Sequence, residues 1–141
     1  NLPFTAKHIA SFSRLVDKKF CDETGVDALA VSIGNAHGEY KSIPKLDIKR
    51  LEEIHDMTDV PLVLHGGSGI PDDQLLIAFS KGINKFNLGT EFLGRYYSAL
   101  EENINDNKYN SDPVKVIDMP QYIQSKLQPY LENRLRTLCR F

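Results

Sequence analysis

The sequence alternates short runs of β-branched and apolar residues with longer amphipathic stretches. Three apolar runs, at residues 27–33, 60–64 and 83–88, predict strands that are buried on both faces. Pro61 has to stand at the start of the second strand, because proline cannot donate a hydrogen bond to the sheet. An order of strand, helix, strand, helix, strand, helix predicts a parallel α/β sheet built from right-handed βαβ units.

The helical stretches are recognised by apolar residues that recur every three or four positions. These sets are Leu51, Ile54 and Met57; Leu75, Leu76, Phe79 and Ile83; Phe92, Leu93, Tyr96, Tyr97, Leu100 and Ile104; and Ile123, Leu127, Leu131, Leu135 and Leu138. An N-terminal set, Ile9, Phe12, Val16 and Phe20, predicts a helix that ends near Gly25. The repeating units suit either a doubly wound sheet or a (β/α)8 barrel. A complete barrel takes about 250 residues, so a chain of 141 residues corresponds to part of one.

Composition and charge argue against several classes of function. The net charge of -2 and the pI near 6.1 provide no basic excess for binding nucleic acid. The sequence contains neither a signal-peptide pattern nor an apolar run that approaches the roughly 18 residues of a membrane span. Cys21 and Cys139 are too few for a disulfide framework, which fits a cytoplasmic protein.

Each predicted strand ends in a loop of unusual composition. The loops are residues 34–40 (GNAHGEY), 65–71 (HGGSGIP) and 87–91 (NLGTE). The carboxyl ends of adjacent parallel strands lie at the same edge of a sheet, so we expect the three loops to meet there.

His37 and His65 occupy equivalent places, each at a strand end and each followed by glycine. Neutral imidazole is a common zinc ligand, and histidines from different strands can build an open catalytic site. The alternative is that each histidine bonds to backbone at the end of its own strand. The matching positions favour the metal interpretation.

Glycines at 66, 67 and 69 allow close approach of a ligand to the backbone, with N–H groups available to hold an anion and Ser68 adding a hydroxyl. The helix that starts after Pro71 would add its positive end. The alternative is a tight turn that needs glycine for its own geometry. Asn87 and Thr90 bracket the next strand–helix turn, where they either hold the other side of a phosphate or cap the helix.

At these positions the sequence resembles the class II, zinc-dependent ketose-bisphosphate aldolases, which include fructose- and tagatose-bisphosphate aldolases. The matching stretches are residues 24–31 (TGVDALAV), 36–38 (AHG), 61–71 (PLVLHGGSGIP) and 87–91 (NLGTE). The resemblance implies a (β/α)8 TIM barrel, of which residues 1–141 are the C-terminal part and form one partial barrel domain. Relative to the family, the sequence has an apparent gap near residues 17–20.

The resemblance also implies the site. His37 and His65 match two of the family's three zinc ligands. The implied dihydroxyacetone-phosphate site comprises Gly38, Gly66, Gly67, Ser68, Asn87, Leu88, Gly89 and Thr90, and Asn87 is implied to position the enediolate. Gly89, an aspartate in many fructose-type members, is small here, as it is in tagatose-type members.

The implied reaction is cleavage of fructose or tagatose 1,6-bisphosphate to dihydroxyacetone phosphate and glyceraldehyde 3-phosphate through a zinc-stabilised enediolate. For the full-length protein the resemblance implies a homodimer or homotetramer, and we expect neither a nucleic-acid partner nor a membrane partner. The 141 residues contain no Asp-His segment that would supply the general-base aspartate and the third zinc ligand, so we expect them to be inactive alone. The alternatives are a non-catalytic phosphosugar-binding protein and a related aldolase for another phosphorylated sugar.

Overall fold

The described part of the chain contains five helices and three strands. The computed structural model describes residues 18–36, 38, 40–108, 110 and 112–138. In chain order the elements are α1 (residues 18–24), β1 (Leu29–Ala30), α2 (Ile48–His55), β2 (Leu62–Leu64), α3 (Asp72–Ser80), β3 (Ile83–Phe86), α4 (Thr90–Asn107), a short 3-10 turn (Val116–Asp118) and α5 (Met119–Leu138). The predicted helical positions Ile9, Phe12 and Val16, and the predicted ligand His37, lie outside the described residues.

The three strands form one parallel sheet in the order β1-β2-β3. Leu29 pairs with Leu62, and Leu64 pairs with Phe86. The helices α2 and α3 connect successive strands, as parallel strands require. The predicted alternation of strands and helices and the parallel sheet are therefore confirmed.

The first strand is shorter than the predicted run of residues 27–33. The Val31 N–H still donates to the Val63 carbonyl at 3.1 Å, which continues the parallel ladder by one residue. Beyond that point the Ile33 N–H donates to the Asn35 side chain at 2.8 Å, and the Ile33 carbonyl accepts from the Asp47 N–H at 2.8 Å. The strand ends because its backbone groups bond to a side chain and a loop instead of to β2.

Of the three strands that the structure describes, the central one alone is buried on both faces. All three residues of β2 are buried, whereas Ala30 in β1 and Lys85 in β3 are exposed. From Ala30 to Ile33 exposed and buried residues alternate, which shows that one face of this segment is covered. In β3 a register irregularity lets the Asn84 side chain accept the Leu62 N–H at 3.0 Å. The expectation of two buried faces is wrong for both outer strands.

The helices α2 and α3 turn their predicted apolar residues into the core of the first compact unit, which ends at Asn87. Leu51, Ile54 and Leu75 are fully buried. Asp47 caps α2, where its carboxylate accepts the Arg50 N–H at 3.0 Å. Ile83 fits both the helical spacing and the third predicted strand, and the structure assigns it to the strand, since α3 ends at Ser80 and β3 begins at Ile83.

The second compact unit begins at Leu88 and contains α4 and α5. The two helices pack through a small core of Ala99, Ile123 and Leu127. Leu135 is exposed, so the predicted apolar face of α5 is buried only in its first half. No helix of the described residues combines the length and the apolar character needed to cross a bilayer.

Candidate functional site

The candidate site in the first unit is built around the loop that follows β2. His65 comes directly after the fully buried Leu64 and is half-buried itself. Its ring Nδ1 lies 2.9 Å from Nδ2 of Asn87, the residue that follows β3. Two side chains that are 22 positions apart in sequence are thus brought into direct contact at the carboxyl ends of adjacent strands.

The backbone of Asn87 holds this contact in place. Its N–H donates to the Leu64 carbonyl at 3.0 Å, and its carbonyl accepts the Gly67 N–H at 3.2 Å. The residue after β3 is therefore hydrogen-bonded to Leu64, just before His65, and to Gly67, two residues after it. The sequence pattern identified both residues but did not indicate that their side chains bond to each other.

The glycine-rich loop makes more contacts within the protein than its sequence suggests. The Gly67 N–H already donates to Asn87, so it is not available to hold an anion in this arrangement. Gly67 is also closely covered, because a β-carbon at this position would overlap the Phe86 ring. Ser68 is buried, with 7% of its surface exposed. The loop is consequently a packed turn as well as a candidate ligand-binding segment.

The start of α3 is less favourable for an anion than the sequence indicates. Pro71 is the N-cap, and Asp72 and Asp73 occupy the first helical turn. Their carboxylates complement the positive end of the helix and repel a second negative charge. A phosphate would rely on the loop, not on this helix end.

The loop after β1 contributes two side chains that sequence reasoning missed. Asn35 Nδ2 donates to the His65 carbonyl at 2.7 Å, and the Tyr40 hydroxyl donates to the Gly66 carbonyl at 2.9 Å. Gly38 is half-buried with a φ of 83°. The sequence offered one signal for Asn35, namely a polar side chain two positions before the predicted ligand His37. No sequence pattern indicated Tyr40.

Leu88, Gly89 and Thr90 belong to the second compact unit. Gly89 is the N-cap of α4 and Thr90 is the first residue of that helix. The cap has no side-chain hydrogen bond, and both residues are exposed. Thr90 is therefore not the N-cap of α4, and its role at the site stays a prediction.

His65 has the surroundings of a metal-binding histidine, because a polar side chain at one ring nitrogen fixes the orientation of the ring. With Asn87 Nδ2 donating to Nδ1, the ring proton sits on Nε2. Coordination through Nε2 requires the proton on Nδ1, where the Asn87 amide oxygen would accept it after a half-turn of the amide. With the amide turned in this way, the His65 ring can act as one ligand of a metal ion. Among the described residues no group of three or more His, Cys, Asp or Glu side chains is placed to hold a metal ion, so a complete site needs further ligands.

A parallel α/β sheet with polar side chains at the carboxyl ends of its strands is typical of α/β proteins that bind a ligand at that edge. Comparison with known proteins identifies the family of this chain. Residues 16–139 match the family described as fructose-bisphosphate aldolase class-II, and the chain belongs to that family.

Solved structures of aldolases resemble the chain over most of its length. The YdjI aldolase from Escherichia coli K12 is 31% identical, with a TM-score of 0.72 over 86% of this chain. The fructose-bisphosphate aldolase from Campylobacter jejuni shares the fold, with 19% identity and a TM-score of 0.67 over 92% of this chain. The chain spans 43% and 44% of the length of these two proteins. Its fold is accordingly that of part of a (β/α)8 barrel.

Proposed function

We propose that this chain forms part of a class II aldolase that cleaves fructose or tagatose 1,6-bisphosphate into dihydroxyacetone phosphate and glyceraldehyde 3-phosphate. The observation that carries the proposal is the His65–Asn87 pair at adjacent strand ends, in a chain that belongs to this family. The activity is proposed for the complete protein. As part of the same proposal, the enzyme works in the cytoplasm as a homodimer or homotetramer.

The proposed work of this chain is to hold the dihydroxyacetone-phosphate half of the substrate. His65 supplies one zinc ligand, and His37 is proposed as a second. When bound, zinc supplies Lewis-acid polarisation of the ketone oxygen. Asn87 keeps the His65 ring in place and offers an amide to the substrate oxygens. The proposed phosphate-binding residues of the loops after β1 and β2 are Gly38, Gly66 and Ser68, with Gly67 shaping the turn because its own N–H is bonded to Asn87. Leu88, Gly89 and Thr90 are proposed for the same role.

The phosphate is remote from the reacting carbons. Contacts with it supply binding energy that the enzyme uses to orient those carbons. The buried Ser68 hydroxyl and the loop backbone serve this purpose in the proposal. Proton transfer at the substrate hydroxyl is assigned to an aspartate outside these 141 residues. The sites in this chain recognise only the half that fructose and tagatose bisphosphates share, which is why both are proposed.

Triose phosphate release tests the proposed reaction. The complete protein should cleave one of the two bisphosphates, lose activity on treatment with a strong chelator, and regain it when zinc is added. Activity that survives complete metal removal would contradict the metal role. Tight binding of the bisphosphates without cleavage would instead indicate a phosphosugar-binding protein, and cleavage of only a different phosphorylated sugar would assign a related aldolase.

Replacing Asn87 by alanine should lower kcat by about 100- to 1,000-fold, the usual effect of removing one preorganised hydrogen-bond donor from an active site. The substitution removes the contact to His65 Nδ1 and leaves the backbone bonds of residue 87 intact. Steady-state kinetics on the complete protein measure the effect. The matched control is Asn105→Ala on the exposed face of α4, which should leave kcat unchanged. Similar kcat values for both variants would refute the role of Asn87.

A further inference from the structure

Two side chains from the loop after β1 reach across to the loop after β2. Asn35 Nδ2 donates to the carbonyl of His65 at 2.7 Å, and the Tyr40 hydroxyl donates to the carbonyl of Gly66 at 2.9 Å. The same hydroxyl accepts the Ala36 N–H at 2.8 Å. Two consecutive carbonyls of the β2 loop are therefore bonded to side chains that lie 26 and 30 positions away in sequence.

These bonds restrict the part of the backbone that is otherwise least restricted. Gly66 has a φ of 70°, and glycine changes its backbone conformation more readily than any other residue. A hydrogen bond at each of the carbonyls of residues 65 and 66 fixes the two peptide planes that follow His65. The direction of the His65 side chain depends on those planes.

We propose that Asn35 and Tyr40 are positioning residues that hold His65 in the geometry needed to bind zinc. The inference rests on the proposed function, in which His65 is a zinc ligand. A ligand must be held within about 0.5 Å of its productive position. Asn87 fixes the ring of His65 from one side, while Asn35 and Tyr40 fix its backbone from the other.

The two residues differ in what else they support. Asn35 also donates to the Val31 carbonyl at 3.2 Å and accepts the Ile33 N–H at 2.8 Å, so it helps to end β1. The Tyr40 hydroxyl bonds only to the two loops among the described residues, and the Tyr40 ring lies beside Gly69. Phenylalanine at position 40 keeps that ring contact. It removes only the bridge, meaning the two hydrogen bonds of the Tyr40 hydroxyl to Ala36 and Gly66.

The test compares zinc binding by the complete protein with that of its Tyr40→Phe variant, using competition with a chromogenic chelator. Loss of an outer partner of a metal ligand typically weakens metal binding by about 10- to 100-fold, and we expect a weakening in this range. The absorption spectrum of the cobalt-substituted variant should change as well, because it reports the ligand geometry. Tyr97→Phe on the exposed face of α4 is the matched control and should change neither.

Asn35→Asp provides a second variant, since it keeps the acceptor for Ile33 and replaces the donor to His65 by a carboxylate oxygen. It should weaken zinc binding at least as much as Tyr40→Phe. Should Asn35→Asp fail to fold, the Tyr40→Phe result decides. Unchanged zinc affinity and cobalt spectrum in a folded Tyr40→Phe variant would overturn the inference while leaving the proposed function intact. A wild-type protein that binds no zinc would overturn both.

Amide hydrogen exchange of the metal-free protein further distinguishes a failure of this inference from a failure of the proposed function. Residues 64–69 should exchange faster in Tyr40→Phe than in the wild type, while α4 and α5 should be unchanged. Equal exchange rates in residues 64–69 would show that the bridge does not restrain the loop, which contradicts the inference whatever the metal does.

Discussion

Replacing His65 by alanine should abolish aldol cleavage by the complete protein and remove bound zinc with it. A catalytic metal contributes several kcal/mol of transition-state stabilisation. Each 1.36 kcal/mol corresponds to tenfold in rate, so we expect a loss of at least about 1,000-fold. Steady-state kinetics together with metal analysis of the purified variant measure both effects.

His55 provides the control for this substitution, because it is exposed near the end of α2 and lies outside the proposed site. His55→Ala should retain nearly full activity and the wild-type zinc content. Equal losses from the two substitutions would show that removing either histidine damages the protein generally, and the assignment of His65 as a ligand would then be wrong.

Replacing Gly67 by alanine should destabilise the protein by about 1–3 kcal/mol, the usual cost of forcing an extra carbon into a packed interior. The added β-carbon would overlap the Phe86 ring. Either the ring or the loop must move, and a moved loop also breaks the bond from the Gly67 N–H to Asn87. Denaturant unfolding of the complete protein measures the stability, and zinc competition measures the accompanying loss of metal affinity.

Gly94 in α4 is the matched glycine, since a β-carbon there meets no atom within 4 Å. Gly94→Ala should stabilise the protein by about 0.5–1 kcal/mol, because alanine favours a helix more than glycine does. In the double variant Gly67→Ala/Phe86→Leu, part of the Gly67→Ala loss should be recovered by the smaller side chain. A Gly67→Ala protein as stable as the wild type would contradict the packing described here.

The fold was predictable where a residue's local pattern and its long-range environment agree. Leu51, Ile54 and Leu75 repeat at helical spacing and are buried in α2 and α3. The pattern fails at strand ends, because β1 stops where the Asn35 side chain replaces a strand as the partner of Ile33. The pattern is ambiguous at Ile83, which fits both the helical spacing of α3 and the third predicted strand, and only its pairing with Leu62 assigns it to the sheet.

The candidate site was predictable only in part, for a related reason. A glycine-rich loop after a strand is visible locally, and it marks His65. The bonds that orient this histidine come from Asn35, Tyr40 and Asn87, which are separated from their partners in the β2 loop by 22 to 30 positions. No local periodicity encodes such contacts, so only the folded chain reveals which polar loop residues support the site.

Diffraction at the zinc absorption edge from crystals of the complete protein tests directly whether His65 binds zinc. We expect an anomalous peak at bonding distance, about 2.0–2.1 Å, from a ring nitrogen of His65, with Asn87 at the other ring nitrogen. An active enzyme whose zinc lies elsewhere, with no peak at His65, would contradict the assignment of His65 as a ligand.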